Sequence, residues 1–425
     1  MLKLREIYRL LAPLLMLIVS CSTPNSKNQD KSTSRTYKTA SQILGDSNYQ
    51  AICYGGYRYN TRDSQASLAQ IIDDMKLLHA TGISVLRTYN TKLKEIETIL
   101  QSITVLQAED SSFEMYVMLG AWIDCENAWT NKTPNHEKEN EEANTLEIKR
   151  AVDLANKYPG IIKMISVGNE ARVKWATAYY VQPKIILKWV NYLQNLKKEN
   201  KLNKDIWITS SDNYASWGGG DTGYHGKDLE DLIHAVDFVS MHTYPVLDTH
   251  YDPGFWGSEN SELRLPKKVA AEMLMQRAVA FAQKQYTGVV KYVRSVDSTK
   301  QVHIGETGWA SFSDGYFGVD GSKACDEFKA GIYYKLIRQW TKKANISCFY
   351  FEAFDEKWKA AANINDAENH FGLFTIEGQA KFGLWHLVDQ GVFKTLSRDG
   401  KPITKTYDGN LNTLLKELKL PPLKR

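Results

Sequence analysis

No sign of charge dominates this chain. Its 425 residues hold 53 Lys and Arg against 49 Asp and Glu, a formal net charge of +4, so composition implies neither a nucleic acid nor any other polyanion as partner. The densest basic run, residues 196–204, is broken by Glu199 and follows an amphipathic pattern, as a solvated helix end does. Cysteine is also sparse. There are five, with no CxxC, no metal-ligand spacing and no HExxH, so neither a metal centre nor a cofactor is expected. The apolar stretch near the amino terminus is too short to span a bilayer as a helix.

What is present describes an ordinary globular protein, with 43% hydrophobic, 11% aromatic and 24% charged residues. A chain this long can bury a large core, which favours one domain of catalytic size with extensions. At the amino terminus Lys3, Arg5 and Arg9 precede the apolar stretch, the pattern of a secretory signal over residues 1–20. Its end, Ile18-Val19-Ser20-Cys21, resembles the lipobox of bacterial lipoproteins. That resemblance implies cleavage before Cys21, a diacylglyceryl group on its sulfur, and a lipid-anchored place in the bacterial cell envelope, at the outer membrane or periplasmic face. A soluble secreted protein is the alternative. Residues 21–48 are almost all polar and read as a flexible tether. Cys53, Cys125, Cys325 and Cys348 read as buried free thiols, with Cys53–Cys348 the one pair worth checking for a bridge.

From residue 50 onward, short β-rich runs alternate with helical patterns. The strand candidates are residues 51–56, 84–89, 113–120, 161–168, 205–211, 236–244, 302–306 and 347–354. Between them, segments such as 66–80 and 324–340 repeat apolar residues at helical spacing. Eight such units predict a (β/α)8 TIM barrel over residues 49–390, with a doubly wound sheet as the runner-up. Residues 218–223, GGGDTG, match a dinucleotide-loop pattern but follow the fifth strand only after an intervening segment, with no helix beginning inside them, so a mobile loop is expected. Past the barrel, Asp399-Gly400 sits between two extended runs and predicts a type I′ hairpin, followed by a short amphipathic helix, as a small appendage over 391–425.

In a barrel the reacting groups sit at the C-terminal ends of strands, so charge there calls for a role. Two carboxylates meet that condition. Asn169-Glu170 ends the fourth strand and Glu306 ends the seventh. Strands four and seven are not adjacent, so the two side chains can face each other across the mouth. Glycosidic cleavage asks for such a pair: one acid to protonate the leaving oxygen, one carboxylate to oppose the oxocarbenium-like transition state. Asn169 can then bond the sugar 2-hydroxyl.

These residues carry a resemblance. VGNEA (167–171) and GETGWAS (305–311) resemble the acid/base and nucleophile segments of clan A glycoside hydrolases, and CYGG (53–56), LRTYN (86–90) and residues 351–374 narrow it to glycoside hydrolase family 17, the β-1,3-glucanases. The similarity covers about 50 to 385. It implies Glu170 as general acid/base and Glu306 as nucleophile, with Glu356, Lys359 and Glu368 as a supporting charged cluster. A Lys among carboxylates would help keep Glu306 ionised. Tyr54, Arg87 and Tyr89 match positions lining the cleft floor, and Tyr244 matches an aromatic near the nucleophile.

Sugar rings present apolar faces, so aromatic platforms are expected along the cleft. Trp309, three residues past Glu306, is the leading subsite wall, with Trp122 and Trp217 as further candidates. Residues 123–144 and 248–266 are long additions relative to plant-like members, and their aromatics could block one end of the groove, which would favour release from chain ends or glycosyl transfer. The expected function is retaining cleavage of β-glucan, and the family resemblance implies β-1,3 linkages. Transglycosylation and non-catalytic glycan binding are the alternatives. The expected partner is a β-glucan polysaccharide or oligosaccharide, with the membrane reached through the lipid anchor, no nucleic acid, and a monomeric chain.

Overall fold

The computed structural model describes residues 35–422 except 221 and 253, and Tyr37 onward forms one compact unit. Cys21 and residues 1–20 lie outside the described residues. Each predicted barrel strand is present: β1 (Gln50–Cys53), β2 (Ile83–Arg87), β3 (Tyr116–Ala121), β6 (Ile162–Asn169), β7 (Trp207–Asn213), β8 (Val239–His242), β9 (Val302–Thr307) and β10 (Cys348–Tyr350). All eight pair in parallel, and β1 bonds to both β2 and β10, which closes the ring as a (β/α)8 barrel. Two short strands, β4 (Cys125–Glu126) and β5 (Asn135–Glu139), form an antiparallel pair inside the loop after β3.

The helices obey their sequence signals. Helix α2 (Leu68–Ala80) starts at Ser67, whose hydroxyl and the Gln70 side chain cap each other's backbone groups, and it buries Ile71, Met75 and Leu78. The 324–340 pattern appears as α10 (Glu327–Lys343), capped by Asp326. The ring between them is filled by α3 (Glu95–Glu109), α4 (Glu141–Lys157), α5 (Pro183–Lys198), α6 (Lys227–Ala235) and α9 (Lys267–Val296), while α7 (Pro245–Tyr251) and α8 (Asn260–Leu263) occupy the long loop after β8.

Two expectations change. The tether was drawn to Asn48, but its last part is structured: α1 (Ala40–Ile43) buries Ala40, Ile43 and Leu44, the few apolar residues in that polar stretch. Within the predicted loop, residues 218–220 are not free. A side chain at Gly219 would collide with Val289, and one at Gly288 with the Gly219 carbonyl, so these glycines let the segment lie directly on α9. All four described cysteines are free and buried, Cys53 and Cys348 included.

The C-terminal hairpin forms from β11 (Ser397–Arg398) and β12 (Lys401–Pro402), and Asp399 and Gly400 have φ of 52° and 73°, the double left-handed turn of type I′. Short α11 (Trp385–Asp389) precedes it and α12 (Leu411–Lys416) follows. Arg398 is 1% exposed and reaches Asp74 of α2 at 2.8 Å. Asp74 also takes Arg58 at 2.7 Å and the Tyr54 hydroxyl at 2.8 Å, so the appendage is bolted to the barrel by a buried charge cluster.

Candidate active site

The barrel mouth gathers side chains of alternating residues from several strand ends, because successive positions on a strand face opposite sides. Arg87 enters from β2 with Tyr89 just beyond it, Ser211 from β7, Ser240 and His242 from β8 with Tyr244 just beyond it, and Glu306 from β9. Glu170 follows β6 with a left-handed φ of 46°, and its amide donates to the Ser211 carbonyl at 3.0 Å. A left-handed backbone is uncommon for a residue with a side chain and costs on the order of 1–3 kcal/mol. Here it turns the carboxylate into the mouth.

Both carboxylates converge on one imidazole. His242 Nδ1 lies 3.0 Å from Glu170 Oε1 and 3.5 Å from Glu306 Oε2, so these oxygens are at most 6.5 Å apart, the sum of the two distances. The other ring nitrogen meets Ser211 Oγ at 2.7 Å, and Ser211 meets Ser240 at 2.8 Å. A side chain at position 305 would overlap both serine hydroxyls, which accounts for the Gly before Glu306.

Glu306 is nearly enclosed, with its side chain 7% exposed, whereas Glu170 keeps 26%. Burial alone would raise the Glu306 carboxyl, but the attraction of His242 and Arg87, the ion pair with Arg87, and a 2.8 Å bond from the Tyr244 hydroxyl hold it down at about 2. It is therefore a carboxylate throughout the working pH range. Arg87 also donates to Asn169 Oδ1 at 2.6 Å, tying the residue before Glu170 to the guanidinium that neutralises Glu306. The Tyr244 and Tyr89 hydroxyls are pushed well above their ordinary range, by burial first.

The charged cluster from the last strand differs in detail from its expectation. Lys359 does not neutralise Glu306. It donates to Glu352 at 2.6 Å and lies 3.6 Å from Glu356, and Arg87 takes the role assigned to it. Glu352, which the sequence reading missed, is 2% exposed, and burial followed by the charge of Glu356 raises its carboxyl well above the usual range. Glu368 keeps an exposed edge, and its carboxyl is raised by the surrounding protein first and, against the pull of Lys359, by the charges of Asp366, Glu170 and Glu306. Glu356 accepts from the Trp358 indole at 2.8 Å, and Trp358 packs edge-on to Tyr57.

Three expected cleft residues lie elsewhere. Tyr54 points away from the mouth, toward Asp74, because its neighbour Cys53 takes the inward position. Trp309 is 1% exposed, donates to the Ala324 carbonyl at 2.9 Å and packs on Tyr333 and Trp256, so it is core and not a subsite wall. Trp217 is wholly buried, with its indole on the Ser240 carbonyl at 3.0 Å. Trp122 remains half-buried at the rim beside Trp129 and Tyr179. His242, Tyr179, Tyr57 and Trp358 were not singled out from the sequence. For His242 the signal was its inward parity with Tyr244.

The chain is similar to known proteins. Residues 51–372 match the model of the BtgE/BtgC glycoside hydrolase domain. An endo-laminarinase from Formosa Hel1_33_131 is 57% identical over 91% of this chain and 98% of its own, with a TM-score of 0.90. The glucan endo-1,3-beta-glucosidase btgC of Emericella nidulans is 24% identical over 71% of this chain, and the match spans only 39% of that longer protein. A glycoside hydrolase family 17 beta-1,3-glucanosyltransferase from Rhizomucor miehei shares the fold, at 18% identity over 79% of this chain and 96% of its own, with a TM-score of 0.53. Among the described residues no group of His, Cys, Asp and Glu is arranged to hold a metal, and no helix is long and apolar enough to cross a membrane.

Proposed function

The chain belongs to the BtgE/BtgC glycoside hydrolase family, and from that premise we propose that it cleaves internal β-1,3 linkages of laminarin-type glucan with retention of configuration. The observation that carries the proposal is the convergence of Glu170 and Glu306 within 6.5 Å through one His242 nitrogen. Inverting enzymes hold their carboxyl groups about 6.5–9.5 Å apart to admit a water, and retaining ones about 5–5.5 Å.

Roles follow from environment. Glu306, enclosed and ionised, attacks the anomeric carbon and forms the glycosyl-enzyme. Glu170, on the open side, protonates the departing glycosidic oxygen and then takes the proton from the incoming water. Asn169, oriented by Arg87, meets the sugar 2-hydroxyl. Tyr244 and Tyr89 line the pocket of the ring being transferred, and Glu356, Lys359 and Glu368 flank it. The added loops favour chain-end release or transfer if their aromatics close the groove; the reading of internal cleavage is supported instead by the 57% identity to a protein named an endo-laminarinase.

The test is reducing-sugar release from laminarin with product sizing over time. Wild type should yield a ladder of mixed oligosaccharides early, and Glu306→Gln should lose roughly 10³-fold or more. Equal release from both proteins would refute catalysis by this pair. A single short product from the first minutes would refute internal cleavage, and products longer than the substrate would favour transfer.

A further inference from the structure

The hairpin β4–β5 does more than lengthen a loop. It packs along the segment after β6 that carries Glu170: the Cys125 amide donates to the Tyr179 carbonyl at 3.2 Å, and His136 stacks on Tyr180 with centroids 3.6 Å apart. At its tip Trp129 is 62% exposed, an unusual place for the largest apolar side chain. Its backbone has a left-handed φ of 59°, a conformation that bulky residues rarely adopt. Something holds it there. Trp129 lies flat on Tyr179, with centroids 5.1 Å apart and planes 20° from parallel, and its indole N–H bonds Asp124 at 3.1 Å. Asp124 also takes the Trp122 indole at 2.6 Å. One carboxylate thus sets two indoles, and the face of Trp129 away from Tyr179 is left to solvent.

Tyr179 belongs to the segment that runs on from Glu170 and links it to the platform through the Cys125 amide and the Trp129 ring; its hydroxyl is raised by burial first and then by the charges of Glu170, Asp212, Glu306 and Asp124. The ring bonded to Glu306 must lie against Arg87 and Tyr244, which bond that carboxylate, whereas the hairpin packs on the segment that carries Glu170. The portion that departs is the one whose oxygen Glu170 protonates, and the wall beside Glu170 is aromatic. We propose that Trp129, set by Asp124 and Tyr179, is a stacking platform for a glucosyl ring of the departing chain, so that the β4–β5 hairpin builds a leaving-group subsite. The inference rests on the glucanase reading above and assigns a side of the cleavage point to a feature that reading leaves unused.

The test compares Trp129→Ala with wild type on two substrates. Laminarihexaose carries sugar on both sides of the cleaved bond, whereas an aryl β-laminaritrioside has an aryl leaving group that ends short of the platform. A stacking contact of about 0.5–1.5 kcal/mol corresponds to a roughly 2- to 12-fold loss in kcat/KM on the hexaose, with the aryl substrate unchanged and Trp129→Phe retaining part of the effect. Hexaose cleavage should also shift toward bonds nearer the reducing end. Equal losses on both substrates would place the platform on the other side of the bond and overturn the assignment, and no loss on either would overturn the platform. Because Trp129 is exposed, its removal should leave thermal unfolding unchanged. Wild-type inactivity on laminarin would instead refute the glucanase reading itself. Hexaose binding to Glu306→Gln, with and without Trp129→Ala, then still reads the platform directly: equal affinities would overturn it.

Discussion

Replacing Arg87 by Met removes the guanidinium that neutralises Glu306 while keeping a chain of similar length. In the native site the Glu306 carboxyl falls from 4.5 to about 2, although burial pushes it up. At about 1.36 kcal/mol per unit that is on the order of 3 kcal/mol of stabilisation of the carboxylate. Because the folded value is the lower one, this stability is fully present above about pH 4.5 and is lost as pH falls through about 2. Without Arg87, burial acts against His242 and the Tyr244 hydroxyl alone, and the carboxyl rises. The acid limb of kcat/KM, which lies below the usual assay range in wild type, should therefore enter it, with a displacement of roughly two pH units. The stability deficit of the variant should be largest near neutrality and shrink below pH 4.5. Asn169→Ala is the control. It removes the Arg87–Asn169 bond, so it should lower activity without moving the limb. A folded Arg87→Met enzyme whose acid limb coincides with that of wild type would refute the electrostatic account.

Other consequences can be checked separately. Trp309→Ala should cost about 3–5 kcal/mol of stability through its cavity while the KM for laminarin stays nearly unchanged; a raised KM with an unaltered melting curve would return Trp309 to the cleft. Asp74→Asn strips the shared partner from Arg58 and Arg398 and should destabilise by about 3–5 kcal/mol, read as a lower melting temperature with kcat/KM preserved below it. Cys21→Ala in an expressing bacterium should abolish incorporation of labelled fatty acid; undiminished labelling would refute the lipid anchor.

The eight strands were legible because parallel barrel strands are buried on both faces and so read as short apolar runs between turn residues. The carboxylates were legible for the complementary reason: an ionised group closing such a run is costly unless it is used. Direction was harder. Trp309 lies three residues past Glu306, and odd separation on an extended segment turns a side chain to the opposite face, where Thr307 already meets Tyr333 at 2.7 Å. Tyr54 beside inward Cys53 fails by the same parity, whereas Tyr89 beyond Arg87 and Tyr244 beyond His242 satisfy it. What no local pattern holds is convergence. His242, Arg87 and Glu306 meet from three strands, and Trp129 reaches Tyr179 from a loop 50 positions earlier in the chain, so their partnership exists only after the barrel closes.

The bond from Arg398 to Asp74 joins positions 324 residues apart. During synthesis the helix bearing Asp74 emerges well before its guanidinium partner, so the aspartate must wait for that contact. A nascent chain stalled just before the β11–β12 hairpin would carry both Glu170 and Glu306 and still lack this fastening, which makes its closure a late event of folding.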